Sequence, residues 1–587
     1  MEKVAIRAYP APGMILLAFD WDEGSRRKDF LGFAARRTPG FRDPATRRYA
    51  PSSWLLNRID FNGPADPEQP DFPSNEAPIQ KFLWWDARIG DEDRAAASAG
   101  RNPVFRYEVF PVIGTPGNLQ PLAEATGTLD VTLPAEVEHD IGTWFNRAVL
   151  SSQGFMRKLR GMGLELDDKP SAEQARELRR WLANGLDGVV PAFLRQAREA
   201  VGAIYHLTDE LFIVPALDTF SRNHSLALVY DAKKTGSAGG NAVSPNQPAV
   251  DLLKDRVAFF PRDKAAIMHN KYLVSGRGFA GRRPSAGRVV CGSANYTTGA
   301  LSTQANLMHT FDSSALAGLY FDRFKRLKDN PPLSSLARNA RWSSPITVGD
   351  AGVRVFFSPE ASSQRESIDT IVEAIHRARS SVLFCLFTPT DAELRDACFM
   401  AGDNGKMMFG LVNRIARPKT DEAVRADQIA ALELYHRSRQ GRDVIGAERF
   451  RRSDTPEGFD TELMLFPGET PPPFPPVIIH HKFIVIDGET AQPVIYSGSA
   501  NMSNNSLHRN DENLLEIRGS RRIAAIYLAE FFRLYEHYRA RAAYYRDREM
   551  PSSGRRKFKL RSDAGWARKH YSPGTPEYKS RRAMAQE

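Results

Sequence analysis

Two textures of hydrophobic patterning divide the chain. Over the first 140 residues short apolar or alternating runs recur, at 13–19, 30–34, 82–85 and 105–110. Clusters of Pro, Gly, Asn and Asp such as 62–67 separate them, which predicts a small antiparallel β-sandwich. The acidic run Asp91-Glu92-Asp93 reads there as a solvated loop rather than a metal site. From about residue 141 helical and strand periods alternate. Residues 177–186 and 193–197 carry helical spacing and 203–207 reads as a strand. The succession restarts near 352, with a helix over 368–378, a strand over 381–387, a helix over 391–401 and a strand over 407–412. Alternation of this kind implies layered α/β structure.

The second α/β stretch looks like a copy of the first. Phe145 to Ser151-Ser152-Gln153 is echoed by Phe357 to Ser362-Ser363-Gln364, and a more specific pair follows downstream. The first copy has Ile267-Met268-His269-Asn270-Lys271 and then Cys291-Gly292-Ser293-Ala294-Asn295. The second has Ile478-Ile479-His480-His481-Lys482 and then Ser497-Gly498-Ser499-Ala500-Asn501. A polar insert at about 415–477 ends in a proline cluster at 471–476, expected to form a semi-rigid wall beside the next strand. The expected division is a β-sandwich over 1–140, α/β halves over 141–345 and 346–538, and a basic, aromatic C-terminal segment over 539–587.

Spacing gives the repeated segments chemical meaning. A strand places side chains i and i+2 on one face, about 6.5 to 7 Å apart. His269 therefore projects with Lys271 and His480 with Lys482, while Asn270 and His481 face the other way. His480 rather than His481 is the expected working histidine. The turn ending the neighbouring strand offers a hydroxyl, an amide and backbone N–H groups, from Ser293 and Asn295 or from Ser499 and Asn501. Two such halves supply two imidazoles and two fixed cations, a set suited to a phosphodiester. One histidine can attack phosphorus to give a phosphohistidine. The other can protonate the leaving oxygen, then deprotonate the incoming water or alcohol. Lys271, Lys482, Asn295 and Asn501 would hold the non-bridging oxygens. No cluster at metal-ligand spacing accompanies the histidines, so neither metal nor cofactor is expected and the lysines would take a metal ion's place.

Composition matters less than where the charge lies. At 587 residues the chain exceeds one hydrophobic core, and 42% apolar with 26% charged residues excludes disorder and collagen-like structure. No run approaches the roughly 18 to 20 apolar residues of a membrane span. The first residues lack the pattern of a secretory signal. Three cysteines form neither a disulfide framework nor a CxxC pattern. A reduced, cytoplasmic protein is expected, with export by a non-classical route left open. Eighty Lys and Arg against 70 Asp and Glu give +10. Residues 539–587 hold 14 and 5 of these, a net of +9, so the other 538 residues are nearly neutral. In that tail 555–559 is basic and stands among Tyr544, Tyr545, Trp566, Tyr571 and Tyr578. Such interleaving suits nucleic acid or an anionic membrane surface. It equally suits aromatics packed on the body with their charges in solvent.

The paired segments resemble the phospholipase D superfamily, whose signature is His-x-Lys-x4-Asp followed by Gly-Ser-x-Asn, twice per active site. The resemblance spans residues 141 to 540 or so. It implies two α/β sandwich halves around a pseudo-twofold axis, with the site at their junction and a single chain active as a monomer. It also implies His269 as nucleophile and His480 as acid/base, an assignment that can swap. Residues 560–571 resemble the ends of some bacterial two-motif members, and the N-terminal β region resembles their immunoglobulin-like modules. The second motif is complete, with Asp487 in place and Glu512 in Asn510-Asp511-Glu512-Asn513. In the first copy the aspartate position is Gly276, and Gln304-Ala305-Asn306 has no matching glutamate. In the family that aspartate mainly supports structure. The expected function is a metal-independent phosphodiesterase, with phospholipid hydrolysis or headgroup exchange leading. Nucleic-acid cleavage is the alternative, and a phosphate-binding protein with a degenerate first half is the third reading.

Overall fold

The computed structural model describes residues 2–66, 69–148, 153–165, 168–234, 243–415, 425–447, 477–548 and 558–586. The proline cluster at 471–476, the arginines of 449–452 and the basic residues 555–557 lie outside the described residues.

The N-terminal strands form two antiparallel sheets. Ala5–Ala11, Met14–Asp20 and Leu83–Asp86 make one, and Phe30–Thr38, Ser53–Trp54, Val104–Thr115, Asn118–Pro121 and Gly127–Thr132 make the other. Their inward residues, including Phe19, Trp21, Phe30, Phe33 and Phe105, share one core. The unit is not purely β. The acidic run expected as a loop opens a helix, Asp91–Ser98. Its carboxylates stand at the positive end of the helix, which favours them. Asp93 is buried, bonded to Arg42 at 2.5 Å, and its Oδ2 accepts from the Gly90 N–H at 3.0 Å. The pairing removes the desolvation penalty that would otherwise keep such a group in solvent.

Two large mixed sheets follow. In the first, the spatial order is Ile141–Phe145, Leu307–Asp312, Ser285–Gly292, Lys271–Arg277, Glu199–Ile204, Ser225–Asp231 and Val257–Arg262. In the second it is Ala351–Ser358, Asn510–Arg518, Val494–Gly498, Lys482–Ile486, Ser381–Leu386, Met407–Val412 and Val444–Gly446. The order and the parallel or antiparallel sense of neighbours agree position by position. Strand sequences such as Ser381–Leu386 and Met407–Val412 are buried along their whole length, as strands covered on both faces must be. One core joins the inner faces: Tyr272, Val289, Leu383, Phe483 and Leu515 pack there with Tyr527 and Phe531 of the helix Arg521–Arg548. Separate clusters cover the outer face of each sheet.

The two sheets also exchange backbone. Ile267–Met268, just before His269, pairs with Asn510–Asp511 of the other sheet, and the His269 N–H donates to the Asp511 carbonyl at 2.8 Å. Reciprocally, the Ala305 N–H donates to Ile478 at 2.7 Å, and the His480 N–H to Ala305 at 3.1 Å. Each histidine is thus placed by backbone from the opposite half, His269 by the strand Asn510–Arg518 and His480 by Ala305, just before Leu307–Asp312.

The C-terminal residues return to the N-terminal unit. Trp566 packs against Phe30, Phe33 and Phe82, and the Tyr571 hydroxyl donates to the Trp21 carbonyl at 2.6 Å. Arg581 pairs with Asp20 and Asp22. These tail aromatics are spent on packing, and the helix Arg521–Arg548 runs without a break past residue 538.

Candidate active site

Lys271 and Lys482 open corresponding strands, and each folds back to the residue two before it. Lys271 Nζ donates to the His269 carbonyl at 2.6 Å, and Lys482 Nζ to the His480 carbonyl at 2.7 Å. An aromatic ring stands beside each pair, at the end of the neighbouring strand. Tyr205 lies 5.0 Å from the His269 ring and 5.0 Å from Lys271 Nζ. Phe387 lies 5.9 Å from the His480 ring and 5.9 Å from Lys482 Nζ. His206 stacks on Tyr205 at 3.8 Å. Asn270 and His481 point elsewhere. Asn270 bonds Asp511 and Asn513, and His481 lies between Phe145 and Phe483.

Each histidine is oriented by a side chain from the other sheet. Glu512 Oε2 sits 3.1 Å from His269 Nδ1, and its Oε1 accepts from Ser506 Oγ at 3.0 Å and Asn510 Nδ2 at 2.8 Å. A carboxylate there only accepts, so Nδ1 of neutral His269 carries the proton and Nε2 keeps its lone pair. Asn306 Oδ1 sits 2.8 Å from His480 Nδ1. Its Nδ2 donates to the carbonyls of Ala300 at 3.0 Å and Gln304 at 3.3 Å, which fixes the amide with its oxygen towards His480. Neither Nε2 makes a hydrogen bond among the described residues.

Asn306 is the residue that sequence reading passed over. It follows Asn295 by 11 positions, as Glu512 follows Asn501, and it occupies the corresponding place. A search for a glutamate misses it; the equal spacing finds it. Tyr205 and Phe387 have a similar signal, since each directly follows the strand beside the lysine strand.

Burial and neighbouring cations dominate the electrostatics of the site. Burial and then Lys271 pull His269 down to about 4 against the pull of Glu512. His206 falls to about 4 for the same two reasons. Desolvation, then Lys482, Lys271 and His269, take His480 well below the usual imidazole range. Burial lowers Lys271 strongly and takes Lys482 to about 7. Burial works to raise Glu512, but His269, Asn510 and Lys271 outweigh it and its net shift is downward. The side chains of Asn295 and Asn501 are also unspent: their Oδ1 atoms are buried and unpartnered, and their Nδ2 donors bond nothing among the described residues. A bound phosphodiester anion would oppose every one of the cation shifts.

The supporting residues divide differently from the sequence expectation. The Ser293 and Ser499 hydroxyls do not face outward with the asparagines. Both are completely buried and tie strand to strand: Ser293 Oγ donates to Asn306 Oδ1 at 2.9 Å, and Ser499 Oγ accepts from the Asn513 N–H at 3.0 Å. Asp487 lies at the end of Lys482–Ile486 remote from His480, accepting N–H groups of Arg379, Ser380 and Ser381 at 2.7 to 3.0 Å. An aspartate at Gly276 has no room, because its Cβ would stand 2.2 Å from the Ser285 carbonyl oxygen. The first sheet supplies the acid from the neighbouring strand instead. Glu199 accepts from the N–H groups of Gly278 at 2.9 Å and Phe279 at 2.8 Å. Both residues lie in the hairpin between Lys271–Arg277 and Ser285–Gly292. Among the described residues no three His, Cys, Asp or Glu gather in a way that could hold a metal.

Comparison with known proteins bears on the second sheet. Residues 371–535 match the family described as "Cardiolipin synthase, PLD-like domain". The chain contains a phospholipase D-like domain. That phospholipase D-like domain includes His480, Lys482, Asn501 and Glu512. No curated protein matches the chain. Among solved structures, phosphatidylserine synthase from Haemophilus influenzae Rd KW20 is 11% identical with a TM-score of 0.42, over 63% of this chain and 89% of that one. Polyphosphate kinase from Porphyromonas gingivalis is 10% identical with a TM-score of 0.37, over 84% and 71%. Nuc from Salmonella typhimurium, a phospholipase D family member, is 16% identical with a TM-score of 0.21, over 32% and 95%. No helix among the described residues is long and apolar enough to cross a membrane.

Proposed function

We propose that the chain is a phosphodiesterase of the phospholipase D type, built from two sandwich halves related by a pseudo-twofold axis, with His269 as nucleophile and His480 as general acid and base. The observation that carries the reading is the reciprocal one: Glu512 holds Nδ1 of His269 and Asn306 holds Nδ1 of His480, each from the opposite sheet. Nε2 of His269 attacks phosphorus as the bond to the leaving oxygen breaks, and His480 gives that oxygen its proton. The product is a phosphohistidine. His480, now neutral, takes a proton from water or an alcohol; the new P–O bond forms, the P–N bond breaks and His269 returns. Lys271, Lys482, Asn295 and Asn501 hold the non-bridging oxygens, where charge is stabilised through both steps.

The asymmetry between the histidines favours this assignment over its reverse. A carboxylate behind His269 stabilises the cationic phosphoimidazole that forms there. The neutral amide behind His480 gives its proton no such anchor, which suits a donor. The substrate brings its own charge, so proton uptake by His480 is expected to accompany binding.

A phospholipid is the proposed substrate, supported by the cardiolipin synthase description of the matching family. Wild type and His269→Ala should be assayed side by side on phospholipid vesicles, single- and double-stranded DNA and RNA. Headgroup release from vesicles alone, lost in the variant, is the expected result. Cleavage of nucleic acid alone would overturn the substrate class, and full activity of His269→Ala would overturn the mechanism.

A further inference from the structure

A second concentration of positive charge lies away from the histidines. A groove of about 1180 Å³ is lined by Arg7, Arg379, Lys406, Arg521, Lys579 and Arg582. They come from separate parts of the chain: the first strand, the residues preceding Ser381–Leu386 and Met407–Val412, the start of Arg521–Arg548, and the last helix Pro576–Ala585. The groove sits where Asp487 caps its strand. The strand Lys482–Ile486 therefore separates it from the candidate active site by roughly 15 Å.

Little in the protein answers this charge. Arg7 donates to the carbonyls of Gln586 at 2.9 Å and of Glu489, Lys579 to that of Gly402 at 2.6 Å, and Arg582 lies 3.6 Å from Asp22. The side chains of Arg379, Lys406 and Arg521 make no hydrogen bond or ion pair among the described residues. Among the described residues two carboxylates line the groove, Asp130 and Glu489. Asp130 is exposed and leans to Arg106 at 4.0 Å. Glu489 is buried against Ser381 Oγ at 2.5 Å, and burial pushes its pKa up. Scattered surface cations need no explanation. Six brought into one concavity with so little counter-charge repel one another and focus their field on whatever enters.

We propose that this groove is a second anion site, distinct from the histidine site, for a compact ligand carrying several phosphate groups. The concavity suits a small molecule rather than a flat membrane, and its size is of the order of ordinary ligand pockets, about 300 to 1000 Å³. Among the described residues Tyr578 is the one aromatic in its lining, already under the Arg581 guanidinium at 5.8 Å, so they offer no platform for stacked bases. Lys579 and Arg582 give the basic tail a role here that its packed aromatics do not have.

The test is calorimetric titration of the full chain with inorganic tripolyphosphate and, separately, ATP, which distinguishes a free polyphosphate from a nucleotide's phosphate tail. Saturable binding of either probe that persists when tungstate fills the histidine site is expected. Lys406→Glu and Arg521→Glu should each weaken it roughly tenfold or more, and His269→Ala should leave it unchanged. Far-UV circular dichroism and thermal unfolding check each fold, with Lys406→Gln as the milder substitute. Absence of saturable binding, indifference to both reversals, or loss in His269→Ala would overturn the proposal. So would groove-dependent capture of phosphatidylglycerol vesicles or a short oligodeoxynucleotide that tripolyphosphate does not displace. Because His269→Ala is the inactive variant of the proposed reaction, the groove and the reaction fail independently.

Discussion

The two large sheets meet the same requirements with different residues. Each must orient one histidine of the opposite sheet. The second does so with a carboxylate, Glu512, and the first with an amide, Asn306. Each must also hold the far end of its central strands. In the second, Asp487 on the lysine strand reaches the backbone of Ser381–Leu386. In the first, Glu199 on the neighbouring strand reaches back to the turn after the lysine strand. The carboxylate and its amide partners have exchanged strands, and Gly276 is the consequence: the bulge at Ser275/Gly276 leaves no space for a side chain. The motif aspartate that the first sheet lacks is thus answered by another acid in the same sheet. The difference on which the proposed roles rest is the charge behind each histidine.

Substitutions can break that comparison in graded ways. The largest effect belongs to the histidines: His269→Ala and His480→Ala should each lower kcat by roughly 10⁴-fold. With a substrate whose leaving group needs no proton, His480→Ala should still form the covalent intermediate and fail to release it, as single-turnover kinetics would show. Glu512→Gln should lower kcat by about 10- to 100-fold, through loss of a charge-assisted bond. Asn306→Asp should cost far less and instead move the His480 limb of the pH–rate profile to alkaline pH, since a carboxylate favours the protonated ring. Equal losses in both variants would erase the distinction between the halves.

Smaller effects concern stability, read by chemical denaturation. Asp487→Ala should cost about 2 to 3 kcal/mol and Glu199→Ala about 1 kcal/mol, with the catalytic rate of the folded enzyme unchanged. Restoring the motif residue, Gly276→Asp, should destabilise by about 1 to 3 kcal/mol rather than help. The smallest expected change is in binding. Lys482 has been lowered to about 7 by burial, so it loses its proton as pH rises through that value. Tungstate affinity should therefore weaken above pH 7, and Lys482→Met should reduce that dependence. A flat profile in the wild type would contradict it.

Much of this was legible in the chain itself. His-x-Lys and Gly-Ser-Ala-Asn, each present twice, mark the strands around the site, although His269 and His480 stand just before the strands that Lys271 and Lys482 open rather than within them. Burial patterns gave the helices and strands between 366 and 412. What stayed hidden depends on contacts between distant segments. Glu199 meets residues 79 and 80 positions away, and nothing local to either segment announces the pair. Asp93 looks like a solvated acid until Arg42 and Tyr49 are brought to it. Packing of the tail's aromatics was one of the readings open from the sequence, but nothing in it showed that Trp566 and Tyr571 would close the N-terminal core. Asn306 differs from these. Its spacing was visible, and only its residue type concealed it.

The central claim is that the two histidines are unequal and that His269 forms the bond to phosphorus. Acid-quenching a reaction with a phosphorus-labelled substrate and mapping the labelled peptide tests it most directly. Label on the peptide containing His269, absent in His269→Ala, is the result the account requires. Label on the peptide containing His480 would contradict it.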